Sequence, residues 1–170
     1  CLMDLSNNKD YSAAWKKAVL KITQGMVENS SEEYAHRGIQ GRILSKGMYL
    51  LYTQDIEKLQ EVIDLITEVL SDGEYAQVDL AIRALTGLIE QIDNEAIIKE
   101  FHPFVPSIIS ALLSAFTNEE IGSHGRQKVL HVFYLCLRTI SWADGIDNEL
   151  IESCLGETFN QWMAIFLQVI

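Results

Sequence analysis

Apolar residues return every three or four positions along almost the whole of this chain. Val78, Ile82, Leu85, Ile89 and Ile92 do so without a break. Residues at that spacing share one face of an α-helix, whereas a half-buried strand would alternate apolar and polar residues. The same rule links Trp15, Val19, Ile22 and Met26, then Ile56, Leu59, Ile63, Ile66 and Leu70, then Val129, Phe133, Cys136 and Ile140. It governs the last segment too, through Leu155, Phe159, Trp162, Ile165, Phe166 and Val169. No stretch has the strand period. Two prolines and ten glycines are also too few turn signals for a β-sandwich. The expected fold is all-α.

Helix starts follow from capping chemistry. A Ser or Thr followed three residues later by Glu can satisfy two free N–H groups at a helix N-terminus. Three such boxes each introduce a periodic run: Ser30 with Glu33, Ser71 with Glu74, and Thr117 with Glu120. They stand 41 and 46 residues apart, with other helix starts between them. Helix pairs at that period are the mark of HEAT-type repeats. The predicted pairs are 10–28 with 31–52, 54–70 with 74–92, and 95–116 with 119–142. Residues 147–170 would open a fourth, incomplete pair. Pro106 falls in the first turn of "PSIISALLSAF", where its missing N–H costs nothing, and "NEAIIKEF" before it reads as a short helical lead-in.

Each pair has more apolar surface than it can bury alone, and stacking the pairs buries it in a continuous core. The expected architecture is therefore a HEAT-type α-solenoid of antiparallel helix pairs, about three and a half repeats in one segment spanning 1–170. A compact helical bundle is the alternative all-α arrangement. The chain does not open on methionine and closes on the apolar "FNQWMAIFLQVI", so the expectation is a piece of a longer protein. No signal peptide is visible.

The 170 residues, 48% of them hydrophobic, suffice for a sizeable core. No uninterrupted apolar window of membrane-spanning length is present, so membrane insertion is not expected. Three cysteines, Cys1, Cys136 and Cys154, are too sparse for a disulfide scaffold and fit a reducing compartment. A net charge of −11 disfavours direct nucleic-acid binding, which needs a basic footprint. It favours a basic protein partner, and it also simply keeps a protein soluble.

No phosphate-binding glycine loop, dinucleotide fingerprint or nucleophile elbow is found. The stretch "LSDGEYAQVDLAIRAL" crowds acids around Gly73, as a calcium loop would. From Asp72, however, the fifth position is Ala76 and the twelfth is Arg83, where oxygen ligands are required. The stretch reads instead as a turn, with Gly73 in the left-handed backbone that ends a helix and Ser71 or Asp72 capping the next. Asp79 and Arg83 would then form a surface pair of a few tenths of a kcal/mol. "GSHGRQ" at 122–127 belongs to the first turns of a helix. His124 and His131 share a face without further metal ligands. Cys136 sits on an apolar face and reads as core. No catalytic residue, cofactor or metal site is assigned.

Charge is unevenly distributed. Residues 55–100 hold twelve acids against Lys58, Arg83 and Lys99, and residues 144–170 hold five acids and no Lys or Arg. Glu57, Glu61, Asp64 and Glu68 step by helical spacing into one acidic stripe opposite the apolar face. The stripe is either a solvated outer face or a contact for a basic partner. Trp15 and Trp162 lie in apolar runs and read as core. Trp142, at the "ADGIDN" turn, reads as a cap over a repeat junction, with an exposed anchor as the other possibility.

Three stretches are similar to the importin-β (karyopherin) superfamily of nuclear transport receptors. "LSDGEYAQVDLAIRALTGLIEQI" resembles the start of a second helix in those repeats. "FVPSIISALLSAF" looks like a first helix, and "LIESCLGETFNQWMAIFLQVI" is similar to a later helix with an aromatic F…W…F run. The resemblance covers roughly residues 54–170 and lies in pattern more than identity. Where the family often carries a tryptophan- and proline-containing start, this chain has "YTQDIEKLQEV". Membership would imply non-catalytic carriage of protein cargo between cytoplasm and nucleus. It would also imply binding to the small GTPase Ran in its GTP form and docking to nucleoporin phenylalanine-glycine repeats. An acidic receptor suits basic cargo, histone-like or ribosomal, and the stripe Glu57, Glu61, Asp64 and Glu68 is the candidate contact. A HEAT-type scaffold or regulatory subunit without Ran dependence is the other reading of the same architecture.

Overall fold

The computed structural model describes residues 17, 21, 24, 25, 34–92, 95–141, 148–156 and 158–169. Within them every regular element is helical. The elements are α1 (Tyr34–Gln54), α2 (Ile56–Asp72), α3 (Tyr75–Gln91), α4 (Glu95–Phe101), α5 (Val105–Thr117), α6 (Gly122–Ser141), α7 (Asn148–Leu155) and α8 (Phe159–Val169). Two 3-10 turns, His102–Phe104 and Glu119–Ile121, lead into α5 and α6. Lys17, Lys21, Gln24 and Gly25 are helical as well. The predicted helix 10–28 as a whole, the Ser30–Glu33 box, Trp15 and Trp142 lie outside the described residues.

The first two links between the described helices are very short, which makes the chain double back on itself. Asp55 alone joins α1 to α2. Its backbone N–H bonds Leu51 O at 2.6 Å, and its carboxylate caps α2 by accepting from Lys58 N at 3.2 Å. Gly73 and Glu74 alone join α2 to α3. The capping here differs from expectation. Ser71 stays inside the last turn of α2 and donates to Thr67 O. Glu74 is itself the N-cap of α3, with the Gln77 side chain closing the box by accepting from Glu74 N at 3.0 Å. Gly73 is extended, at φ −77°, and not left-handed. Thr117 likewise turns back to Leu113 O and Ser114 O, and Asn118 caps the following turn by accepting from Glu120 N at 2.9 Å. In both cases the Ser or Thr hydroxyl found a carbonyl on its own helix, and a later polar residue, Glu74 or Asn118, took the cap.

Gly122 carries the left-handed backbone at φ 63°, where the chain turns from the Glu119–Ile121 turn into α6. The 95–116 segment divides at His102–Phe104 into the short lead-in helix α4 and helix α5, with Pro106 in the first turn of α5, both as expected. One predicted helix is interrupted. The 147–170 segment breaks at Gly156, whose N–H bonds Glu152 O at 2.7 Å to close α7. A Cβ at Gly156 would lie 2.4 Å from that same carbonyl, so the ending needs glycine.

Packing joins alternate helices. α1 packs along α3, and α3 along α6. α2 packs against α5, and α5 against α7. α2 also meets α1 and α3, and α5 meets α6. Between these two sets runs one apolar core, from Leu44, Met48 and Leu51 through Leu59, Ile63, Ile66, Leu85 and Leu88 to Ile108, Leu112, Val132 and Cys136. Each such side chain stabilises the fold by about 1.5–3 kcal/mol relative to exposure. Trp162 closes the far end of the core. It stacks on Phe133 at 4.3 Å between ring centroids, with Phe116 at 5.8 Å and Phe166 at 5.9 Å. Trp162 and Cys136 are therefore core residues, as their periodicity predicts.

Candidate functional site

The central helix α3 has neighbours on nearly every side, and it buries a carboxylate. Asp79 is 3% exposed. One of its oxygens accepts from Arg37 Nε of α1 at 2.9 Å and from Arg83 Nε of α3 at 2.9 Å. The other accepts from Lys128 Nζ of α6 at 2.6 Å. One acid thus ties three helices together through three cations. Burial by itself pushes the Asp79 carboxyl up. The hydrogen bonds from Lys128, Arg83 and Arg37 outweigh it and leave the group below the usual carboxylate range.

The Asp79–Arg83 pair is accordingly not the surface pair expected from its i,i+4 spacing. The spacing is right and the environment is different, because Arg37 and Lys128 come from residues 42 and 49 positions away. A signal for burial was present in the sequence: Asp79 stands between Val78 and Leu80 in a helix with Ala76, Ala81, Ala84 and Gly87. Small residues on the flanks let neighbouring helices close in. A Cβ at Gly41 would lie 2.7 Å from Arg83 Cβ, and one at Gly87 would lie 2.7 Å from Ser45 Oγ. Gly41 of α1 and Gly87 of α3 therefore set the close approach of those two helices.

Beside the Asp79 cluster lies an open groove of about 450 Å³. Gly38, Arg42 and Ser45 of α1 line it, with Ile82, Arg83, Thr86, Gly87 and Glu90 of α3 and Lys128 and His131 of α6. Arg42 is exposed. At one margin His131 Nε2 approaches Glu90 Oε1 at 3.7 Å. One turn further, Lys46 Nζ donates to Gln91 Oε1 at 2.6 Å and ties α1 to α3 again.

The predicted stripe Glu57, Glu61, Asp64 and Glu68 lies on α2, and all four residues are exposed. They face away from Leu59, Val62, Ile63, Ile66, Val69 and Leu70, which α2 buries. Glu61 pairs with Lys58, and Asp64 accepts from Gln60 Nε2 at 2.6 Å. No stripe residue lines the groove. The chain thus carries two charged surfaces of opposite sign on different helices.

Among the described residues, the thiols of Cys136 and Cys154 are buried and not activated as nucleophiles. Burial pushes Cys136 up to about 12 and also raises Cys154, the reverse of what a reactive cysteine needs. Among the described residues no three His, Cys, Asp or Glu side chains are grouped to hold a metal ion, and no helix is long and apolar enough to cross a membrane. His102 instead donates from Nε2 to Thr139 O at 3.1 Å and pins the 3-10 turn to α6. No family model matches the chain, and no curated protein or solved structure matches it.

Proposed function

We propose that the chain is a stretch of HEAT-type α-solenoid that binds protein partners and performs no chemistry. The observation that carries this reading is the order of helix contacts. α1, α3 and α6 follow one another on one side, and α2, α5 and α7 on the other. Helices α1, α3 and α6 begin at Tyr34, Tyr75 and Gly122, 41 and 47 residues apart, within the range of HEAT repeats. Such stacks present long surfaces suited to partners. The two charged surfaces supply the polar chemistry for binding.

The narrower reading is a nuclear transport receptor of the importin-β type, supported by the similarity of the three sequence stretches quoted above. Its partners would be Ran in its GTP form, nucleoporin phenylalanine-glycine repeats and a basic cargo. The acidic stripe on α2 would be one cargo contact. The test is capture of Ran loaded with a GTP analogue against Ran-GDP, together with binding of a core histone at low salt. Nucleotide-dependent capture supports the receptor. Equal capture of both forms, or of neither, removes it. Changing Glu57, Glu61 and Asp64 together to lysine should weaken histone binding, and unchanged affinity at low salt removes the stripe as a contact. The segment "YTQDIEKLQEV", where the family's usual start is missing, favours a second reading as a scaffold or regulatory subunit. That reading expects protein binding with no response to Ran.

A further inference from the structure

The groove between α1, α3 and α6 has the opposite charge to the chain that contains it. Its lining holds Arg42, Arg83 and Lys128 against a single carboxylate, Glu90, with His131 at the margin, in a chain of net charge −11. Adding the buried pair behind it, Arg37 and Asp79, leaves the balance positive. Asp79 also fixes two of the lining cations, taking Arg83 by Nε and Lys128 by Nζ. Cations already held in place need less ordering when an anion arrives, and that favours binding. Gly38 adds to this. A Cβ there would lie 3.7 Å from Arg83 Nη1, so the wall of α1 stays low where the guanidinium lies.

We propose that this groove is a docking site for an acidic peptide segment of a protein partner, whose Asp or Glu carboxylates meet Arg42, Arg83 and Lys128. A volume of about 450 Å³ takes a few side chains and not a folded element. Ile82 adds an apolar side chain to the lining beside the charges, and Thr86 Oγ1 is already engaged with Ile82 O. The strongly acidic chain opposes a polyphosphate backbone approaching along its length. A basic cargo segment meets repulsion here, which separates this surface from the stripe on α2. The assignment rests on reading the chain as a protein-binding module and names the chemistry of one partner.

The test uses fluorescence anisotropy of a labelled alternating Glu-Ala peptide at about 50 mM salt, where screening is modest. Wild type should bind it saturably, and any binding of the matching Lys-Ala peptide, which suits the acidic stripe on α2, should be unchanged by Arg42→Glu. Arg42→Glu should weaken binding about tenfold or more, as loss and reversal of a contacting charge does. Lys99→Glu makes the same charge change at an exposed site on α4 and should alter affinity less than about twofold. Arg42 is exposed, so circular dichroism of the Arg42→Glu protein should match wild type. Absence of saturable binding by wild type overturns the proposal, and so does an equal loss from Arg42→Glu and Lys99→Glu. Inorganic phosphate at matched ionic strength should displace the peptide no better than chloride. Stronger displacement by phosphate would overturn the peptide assignment in favour of a small-anion site. Failure here with histone binding intact refutes the groove alone, whereas failure of both refutes the protein-binding reading.

Discussion

Asp79→Asn is the most informative single change, because it keeps the side chain's shape and removes its charge. Arg37 and Asp79 face each other with side-chain exposures of 5% and 3%, and Arg83 and Lys128 stand at 21% and 20%. An exposed i,i+4 pair contributes about 0.3–0.5 kcal/mol. Removing one member of a buried pair costs about 3–5 kcal/mol, because the partner is left as an uncompensated buried charge. The exposures place Arg37 in the second class. Arg83 and Lys128 can swing partly into solvent, which moves the expected loss to the lower end, about 3 kcal/mol. For a chain of this size that is a fall in Tm of about 6–12 °C. Urea unfolding followed by far-UV circular dichroism measures it. A loss below about 1 kcal/mol would refute the buried reading and restore the surface pair.

Acid adds an independent check on the same residue. The folded value of Asp79 is depressed, so its stabilisation is fully present above the unfolded carboxylate value of about 3.9 and is lost as pH falls through the lower folded value. The stability gap between wild type and Asp79→Asn should therefore stay constant near neutrality and narrow below about pH 4. A gap independent of pH would mean that the variant acts through packing instead of charge. Adding Lys128→Met to Asp79→Asn should return part of the loss, since one uncompensated cation is then gone.

Other outcomes follow from the close helix approach, the thiols and the aromatic end. Gly41→Ala and Gly87→Ala should each destabilise by about 1–3 kcal/mol from overpacking, reduced by up to about 1 kcal/mol of gained helix propensity, in chemical unfolding. With Cys1→Ser, the native protein should leave Cys136 and Cys154 unmodified by a thiol reagent at pH 8 and expose both in guanidinium. Because the folded value of Cys136 is raised to about 12, its contribution is present at neutral pH and lost as pH rises above the unfolded value of about 8.5, which an alkaline unfolding series detects. Trp162→Ala should cost about 3–5 kcal/mol, read by thermal unfolding.

The helices were legible because their signal is local. Leu59, Ile63 and Ile66 lie on one face whatever packs against them, and all three are buried. The caps were shifted by one to three residues because Ser71 and Thr117 had carbonyl acceptors on their own helices, a choice that S/T-x-x-E spacing does not express. The break at Gly156 was hidden by an apolar period that continues from Leu155 to Phe159 across it. The Asp79 cluster was half visible. Arg83 is four residues away and could be paired from spacing, whereas Arg37 and Lys128 arrive only when α1 and α6 pack on either side of α3. The groove was hidden for the same reason, since its cations come from three helices, although a signal was present: α1 and α6 each carry Lys and Arg and no Asp or Glu.

Net charge is therefore a poor guide to the sign of any one surface of this chain. The total of −11 favoured a basic partner, and the acids concentrate in residues 55–100 and 144–170, with the stripe exposed on α2. Yet helix packing gathers Arg42, Arg83 and Lys128 from separate segments into one groove, and buries Asp79, an acid counted in the total, where it steers cations instead of solvent. A screened charge acts over roughly 8–10 Å at physiological salt, so a partner at the groove responds to the local cluster and not to the sum. A salt series separates the two surfaces. Histone binding to the acidic face of α2 should weaken steeply with ionic strength, because that face is exposed. The acidic peptide should weaken less steeply, because two of its cations are partly buried and the bulk acidity that opposes its approach is screened at the same time. Equal slopes would mean that both ligands respond only to overall charge.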